Sequence, residues 1–489
     1  MPELFVAGEW RSAAAGGTRD VVNPFDGQVF EVVDEAGAQD AEAAVLAART
    51  AFDEGSWART PVAERAALLD RVADLLQRDR EEIARTETLD TGKTLAESRI
   101  DVDDVTAVFR YYAREGVVEV DRTVDVGRPE VVSRVVHHPV GVCTLIAPWN
   151  YPLLQISWKV APALVAGNTV VLKPSEVTPL TTVHLVRLLE EAGVPPGVVN
   201  LVLGAGGAVG PALTSHPAVD LVSFTGGLAT GKAIAKAAAD TVKRVTVELG
   251  GKNPNIVFAD VDLEVAVDTV LTGVFLHSGQ VCSAGTRLIV EESVADELVA
   301  GVVERARRIR FGNGLEDGVE SGPLVSAQHR DKVEGYVALG LQEGARLLTG
   351  GRRPDAPELQ RGFFFEPTVF DDCDRSMRIV QEETFGPILT VERFRTEEEA
   401  VFLGNDTTYG LAGAVQTLDV ERGERVAAAL RHGTVWINDF GPYVPEAEWG
   451  GQRMSGNGRE LGPAGLAEYR ETKHVWRTTR PAAPGWFQG

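Results

Sequence analysis

Short apolar strands alternating with helical segments between residues 141 and 249 predict a doubly wound α/β fold on a parallel sheet. Two further observations agree. A second strand–helix series runs from Asp262 to about Asn438, and helix punctuation sits where that alternation needs it. Taken in order, the first hundred residues read as helices; over 61–80, Val62, Leu68, Leu69, Val72, Leu75 and Leu76 share one helical face. From 130 to 136 the chain turns β-branched, as a short hairpin would. Strands are expected over 141–147 and 169–173. The helix over 179–192 has Pro179 at its start and Gly193 just past its end. Strands over 198–203 and 221–224, a helix over 229–239 and a strand over 244–249 complete the first series. The chain closes in a polar, Pro-rich tail. No repeat or low-complexity linker interrupts it, so the domains are expected to pack closely.

Composition narrows the function. A chain of 489 residues accommodates about two or three domains, and 44% apolar content supplies a large core. A net charge of −23 argues against nucleic-acid or membrane-surface binding, which needs a basic face. The start, Met1-Pro-Glu-Leu-Phe-Val-Ala-Gly-Glu, lacks a basic segment followed by an apolar one, and no run approaches the roughly 18 apolar residues of a membrane span. Three widely spaced cysteines indicate neither a disulfide framework nor a metal site. A cytoplasmic, reducing setting is expected. Cys143 lies in an apolar run and reads as core; Cys373 is flanked by Asp371, Asp372 and Asp374, which disfavour its thiolate.

Cys282 differs from both. It stands in Phe275-Leu-His-Ser-Gly-Gln-Val-Cys282-Ser-Ala-Gly, where Gly279 and Gly285 let the backbone expose a side chain and aim amides at a reacting group. Glu248, at the end of a β-branched strand, offers a carboxylate to activate the thiol or a water. Two phosphate-loop patterns fail by one residue each. In Gly204-Ala-Gly206-Gly-Ala-Val209-Gly210, valine replaces the last glycine of the dinucleotide motif, and a plain loop is expected. Gly226-Gly-Leu-Ala-Thr-Gly231-Lys232 is followed by Ala233, not the hydroxyl residue that holds magnesium. A nucleotide hydrolase is therefore only a distant alternative. The strand ending in Phe224-Thr-Gly-Gly and opening a helix still aims amides and a dipole at a pyrophosphate.

These segments resemble the aldehyde dehydrogenase superfamily. The resemblance spans essentially the whole chain and rests on six ordered motifs: Ala147-Pro-Trp-Asn150-Tyr-Pro152, Lys173-Pro-Ser-Glu176, Phe224-Thr-Gly-Gly227, Glu248-Leu-Gly-Gly251, Gly279-Gln-Val-Cys282 and Glu382-Glu-Thr-Phe-Gly-Pro387. Within it, Gly250–Asn255, Thr434–Phe440 and Gly456–Gly462 are most similar to the betaine aldehyde dehydrogenases, particularly the bacterial glycine betaine aldehyde type. The resemblance implies an NAD-binding domain (1–120 and 140–252), an α/β catalytic domain (253–445) and a β-ribbon oligomerisation arm (121–139 and 468–489) in a homodimer or homotetramer. A purely structural role for such a fold conflicts with the intact catalytic residues.

What the resemblance implies for chemistry is specific. Cys282 attacks an aldehyde to give a thiohemiacetal, and the Asn150 amide with the Cys282 N–H stabilises the oxyanion. Hydride passes to NAD, and Glu248 activates the water that hydrolyses the thioester. Lys159 and Glu460 match a proton relay, though each also reads as an ordinary ion-pair member. For the cofactor, Ile146, Ala147, Pro148 and Trp149 line the channel, with Phe224, Thr225, Gly226, Gly227, Leu249 and Gly250 beside them. Ser175, Gly206 and Gly210 flank the adenosine end, while Lys173 and Glu176 hold its ribose hydroxyls. A carboxylate repels a 2′-phosphate, so Glu176 favours NAD over NADP. Glu383 is placed on the nicotinamide ribose and Phe385 against its ring. Gly227 replaces a serine common in the superfamily.

The substrate reading is betaine aldehyde, whose trimethylammonium group is held on aromatic faces, each contributing about 0.5–2 kcal/mol. Tyr151 and Trp158 are seven residues apart, on one side of a helix, and with Trp449 they match an aromatic box; Phe440 and Tyr443 add walls. Leu276 stands where plant relatives carry tryptophan and leaves the box more open. Glu446 and Glu448 place acids beside Trp449, which also suits a primary ammonium. Aminoaldehydes such as 4-aminobutyraldehyde are the close alternative, and a broad aliphatic aldehyde dehydrogenase the next.

Overall fold

The structure is a computed structural model that describes residues 3–118, 120–483 and 485–486. Positions 1, 2 and 119 of the expected NAD-binding domain, and 484 and 487–489 of the expected arm, lie outside the described residues. The larger sheet runs in the order Gly456–Asn457, Arg244–Glu248, Leu221–Thr225, Val142–Ile146, Thr169–Lys173, Val199–Leu201, Leu4–Val6 and Glu9–Arg11. Its five central strands are parallel, as the alternating pattern requires. The chain enters at Val142–Ile146, winds outward to Thr169–Lys173 and Val199–Leu201, then returns to the opposite side with Leu221–Thr225. Strand order therefore reverses between Ile146 and Thr225. Beyond the carboxyl ends of two such strands the flanking connections diverge and leave a crevice.

The second sheet is ordered Arg346–Thr349, Thr368–Asp371, Ile388–Phe394, Arg287–Glu291, Pro254–Val257, Ala412–Gln416 and Thr434–Ile437, parallel except at its first strand. Sheet membership changes between Glu248 and Pro254, so the five residues linking those strands join the two layers. A third, antiparallel sheet pairs Arg470–Thr478 with Val131–Pro139 over nine residues, with Arg122–Val124 on its far side.

Helix ends follow local chemistry. Leu95–Gly116 opens on a capping box in which Thr94 Oγ1 accepts from the Glu97 N–H and the Glu97 carboxylate accepts from the Thr94 N–H. Pro152–Ala166 has proline in its first turn and stops at Gly167, whose φ of +100° suits glycine. Every residue of that helix is buried, which carries Trp158 and Lys159 into the interior. The expected helix over 61–80 is Val62–Arg78, burying Leu68, Leu69, Val72 and Leu76. Each such side chain contributes about 1.5–3 kcal/mol.

Two expectations are corrected. The first hundred residues are not all helical: Leu4–Val6, Glu9–Arg11, Thr18–Asn23 and Gln28–Asp34 are strands. The first pair extends the edge of the large sheet, with Phe5 opposite Leu201, and the second pair is a hairpin turned at Gly27 with φ +69°. The segment expected as a plain loop over 204–210 opens directly into the helix Gly206–Thr214. Val209 is fully buried in that helix and packs the core.

Candidate active site

Cys282 lies between the helix Leu263–Phe275 and the strand Arg287–Glu291. His277, Ser278 and Gly279 ahead of it hold φ of +48°, +53° and +72°. For the two non-glycine residues that conformation costs about 1–2 kcal/mol each. Surrounding bonds hold it. The His277 N–H donates to Glu97 Oε1 at 2.8 Å, Ser278 Oγ to the Gly322 carbonyl at 2.6 Å, and Gln280 Nε2 to the His277 carbonyl at 3.1 Å. Asn253 Nδ2 donates to the carbonyls of Cys282 and Ala284 at 2.9 and 3.0 Å. A Cβ on Gly279 would stand 2.4 Å from the Gly386 carbonyl oxygen, so only glycine fits there.

The half-buried Cys282 lines two cavities and thereby joins them. Burial, with the charges of Glu383 and Glu248, pushes its thiol up to about 12. Glu248, at the carboxyl end of its strand, is buried beside the loop of Gly450 and shares the smaller cavity with Cys282. Burial and the neighbouring Glu460 raise its carboxyl well above the usual range, and Lys159 opposes them. Lys159 donates to Thr225 Oγ1 at 2.7 Å and pairs with Glu460. Asn150 Nδ2 donates one hydrogen to the Gln280 carbonyl at 2.8 Å; an amide carries two. A thiol and a carboxyl both raised by burial lie together, next to a buried ion pair that can relay a proton.

At the strand-order reversal a cavity of about 670 Å³ opens. One end is walled by Ile146, Ala147, Pro148 and Trp149, and the facing strand brings Phe224, Thr225, Gly226 and Gly227. At the far end stand Lys173, Ser175, Glu176, Gly206 and Gly210. Lys173 Nζ donates to Glu176 Oε2 at 3.0 Å and the Gly206 N–H to Glu176 Oε1 at 3.4 Å. Burial raises the Glu176 carboxyl, but Lys173 and these bonds leave it lowered overall. Pro148, Trp149, Thr225, Gly226 and Gly227 also line the 190 Å³ cavity, with Leu249, Gly250, Glu383, Phe385 and Cys282. A continuous groove thus runs from Glu176 to the thiol. A Cβ on Gly207, Gly210 or Gly227 would meet nothing within 4 Å, leaving the N-terminal turns of two helices open to the groove. One on Gly250 would strike Glu383 Oε1 at 1.8 Å. These features fit a dinucleotide whose pyrophosphate faces backbone amides.

His329 and Lys332, which sequence reasoning did not single out, also line this groove. His329 Nε2 bonds the Phe385 carbonyl at 2.7 Å, and its ring packs 4.9 Å from Trp149. Burial pulls His329 down to about 4, so the ring is neutral and Nε2 carries the donated hydrogen.

On the other side of Cys282 a cavity of about 360 Å³ is lined by Tyr151, Trp158, Phe440, Tyr443, Trp449 and Leu276. Trp158, Tyr443 and Trp449 form a cluster with centroids 5.3, 6.0 and 6.0 Å apart. Tyr151 is placed differently: Lys93 Nζ lies 3.6 Å from its ring centroid, so an internal ammonium already occupies one face. Phe440 packs on Trp436 at 5.0 Å. The expectation that Glu446 and Glu448 face the cavity is corrected. Glu446 is exposed and pairs with Arg114, and Glu448 is exposed and accepts from the Ala464 N–H. The acids at the cavity are Glu97, Asp101 and Asp104, and Tyr443 Oη donates to Asp104 at 2.6 Å. Their i, i+4, i+7 spacing on one helix was visible in the sequence.

Comparison with known proteins agrees with this geometry. The family model described as "Aldehyde dehydrogenase family" matches residues 10–475. Betaine aldehyde dehydrogenase of Bacillus subtilis is 57% identical over 484 residues, 99% of each chain. Aminoaldehyde dehydrogenase 2 of Zea mays is 44% identical, covering 99% of this chain and 97% of its own. The crystal structure of a Staphylococcus aureus betaine aldehyde dehydrogenase in complex with NAD+ superposes with a TM-score of 0.99 at 50% identity, over 100% of this chain and 97% of that one. With a thiol at the head of a dinucleotide groove and a family match along nearly its whole length, the chain belongs to the aldehyde dehydrogenase family.

Proposed function

We propose that the protein oxidises betaine aldehyde to glycine betaine with NAD, in the cytoplasm and as a homodimer or homotetramer. One observation carries the substrate reading: a single 360 Å³ cavity holds both the Cys282 thiol and the Trp158–Tyr443–Trp449 cluster. An aldehyde at the sulfur leaves its trimethylammonium end among the rings, which attract a cation that cannot donate a hydrogen bond. The identity with the Bacillus subtilis enzyme supports the same choice.

In the proposed reaction Cys282 Sγ attacks the carbonyl carbon, and its proton passes to Glu248 once that carboxyl is ionised. The Asn150 amide and the Cys282 N–H donate to the oxyanion. NAD, when bound, accepts the hydride. Lys173 and Glu176 would hold its ribose hydroxyls, and Trp149, Glu383 and Phe385 would hold its nicotinamide end. Glu248 passes the thiol proton to the Lys159–Glu460 pair and, ionised again, takes a proton from the water that attacks the thioester carbon. The C–S bond breaks, releasing the carboxylic acid and the Cys282 sulfur, and Lys159 with Glu460 carries the proton away.

Aminoaldehydes remain the second reading. Asp101 and Asp104 at the cavity wall favour it, as does the similarity to the Zea mays enzyme. The test is kcat/KM for betaine aldehyde, 4-aminobutyraldehyde and propanal. Betaine aldehyde is expected to exceed propanal at least tenfold, and Trp449→Ala to raise its KM. Equal values for propanal, or an unchanged KM, would overturn the substrate assignment. A higher kcat/KM with NADP than with NAD would overturn the reading of Glu176.

A further inference from the structure

Beside the adenosine end of the groove lies a narrow cleft lined by Arg19, Glu35, Ser175 and Glu176, the last two shared with the main cavity. Glu35 and Glu176 are held by consecutive backbone amides. The Ala205 N–H donates to Glu35 Oε1 at 3.0 Å, and the Gly206 N–H to Glu176 Oε1. Two carboxylates therefore flank one corner of the groove. Arg19 reaches the same corner but is engaged, its Nε and Nη2 donating to both oxygens of Glu35 at 2.5 and 2.6 Å. The bond to Arg19 holds the Glu35 carboxyl below its usual range, so it is ionised throughout the neutral region. A guanidinium is the side chain best suited to grip a phosphate in two-point fashion. Here that donor fork is already filled.

We propose that Glu35 is a second determinant of coenzyme choice, acting in two ways. Its charge adds to that of Glu176 against a 2′-phosphate, and its bidentate bond withholds Arg19 from that phosphate. The inference rests on the reading that the adenosine ribose lies at Lys173 and Glu176. NAD, with a plain 2′-hydroxyl, needs neither a cation there nor relief from the second carboxylate. Sequence alone does not reveal the arrangement, because Arg19 and Glu35 lie on a hairpin and its exit, about 140 residues or more from Glu176 and the Gly206 turn.

Glu35→Gln keeps an oxygen for the Ala205 N–H while removing the charge and loosening Arg19. Its kcat/KM ratio for NADP over NAD is expected to rise at least tenfold. By calorimetry, adenosine 2′,5′-bisphosphate should bind at least tenfold tighter than to the unmodified protein, with 5′-AMP affinity unchanged. Adding Arg19→Met to that variant should abolish most of the gain. Arg19→Met alone leaves Glu35 charged and unpaired, and should move the ratio further toward NAD. Glu176→Gln separates the two readings. If it raises NADP use while Glu35→Gln shifts the ratio less than twofold, the ribose placement stands and the role of Glu35 is overturned. If neither variant moves the ratio or the bisphosphate affinity, both fall.

Discussion

Asn150 gives one amide hydrogen to the Gln280 carbonyl, which orients the side chain and leaves its second hydrogen for the oxyanion. Asn150→Ala is expected to lower kcat by about 10²–10³-fold, the usual loss of one such donor, with little change in NAD affinity. Steady-state kinetics beside a fluorescence titration of NAD check both halves. The thiol at about 12 and the raised Glu248 carboxyl set the pH dependence. Burial raises both groups and both must lose protons to act, so kcat/KM for the aldehyde is expected to climb from pH 6 to pH 9. Glu248→Gln should reduce kcat about 10²–10⁴-fold, as loss of a general base does, and remove the contribution of that carboxyl to the rise. A flat profile in the unmodified enzyme would contradict this assignment. Tyr151 shows how neighbours outside the local sequence decide a side chain's use. Its spacing from Trp158 predicts one shared helical face, but Tyr151 stands outside the helix as the residue before Pro152, with φ −133°, and Lys93 covers one side of its ring.

At the scale of elements, the start of the helix Leu95–Gly116 and the cysteine loop share one side chain. Glu97 accepts from the Thr94 N–H through Oε2 and from the His277 N–H through Oε1. The helix cap thus also holds a left-handed turn five residues before Cys282. Glu97→Ala removes a capping partner and leaves a buried loop amide unpaired, at a cost of about 1–3 kcal/mol. It should lower the midpoint of thermal unfolding and kcat together, whereas an exposed alanine substitution such as Glu421→Ala should change neither. Unfolding curves and turnover measured on the same preparations decide it; normal turnover with reduced stability would show that the loop holds its shape without Glu97. The strand Arg244–Glu248 presents a comparable junction. Its carboxyl end carries Glu248 toward Gly450, where a Cβ would come within 2.8 Å of the carboxyl oxygen.

For the whole molecule, the antiparallel sheet of Arg122–Val124, Val131–Pro139 and Arg470–Thr478 has Arg470–Thr478 at one edge, paired among the described residues with Val131–Pro139 on one side. Trp476 on that strand is 48% exposed, a large apolar side chain on an open edge. Such edges pair with another chain unless they are covered. Light scattering at micromolar concentration is therefore expected to give two or four times the chain mass, and Trp476→Asp to shift it downward. A monomeric unmodified protein would refute the proposed arm. Among the described residues no helix is long and apolar enough to cross a membrane.

The sequence by itself determined the groove and the reacting pair, because the segments that build them are short and contiguous. Ala147–Asn150, Phe224–Gly227 and Glu248–Gly250 each lie at or just past the carboxyl end of a parallel strand, so strand alternation alone brings them to one edge of the sheet. It also placed Cys282 in a glycine-bracketed turn. Tertiary structure decided what depends on partners far along the chain. Leu4–Val6 is a strand because Phe5 finds Leu201, and no local periodicity in three residues announces that. The hairpin around Asn23-Pro-Phe-Asp-Gly27 did carry a legible turn signal, which the helical pattern farther on obscured. Tyr151 separates from the other rings because Lys93 arrives from another helix junction, and the acids of the aromatic cavity come from Leu95–Gly116 rather than from beside Trp449. Backbone pattern is local and survives in the sequence; which charge faces which ring is set only when distant elements pack.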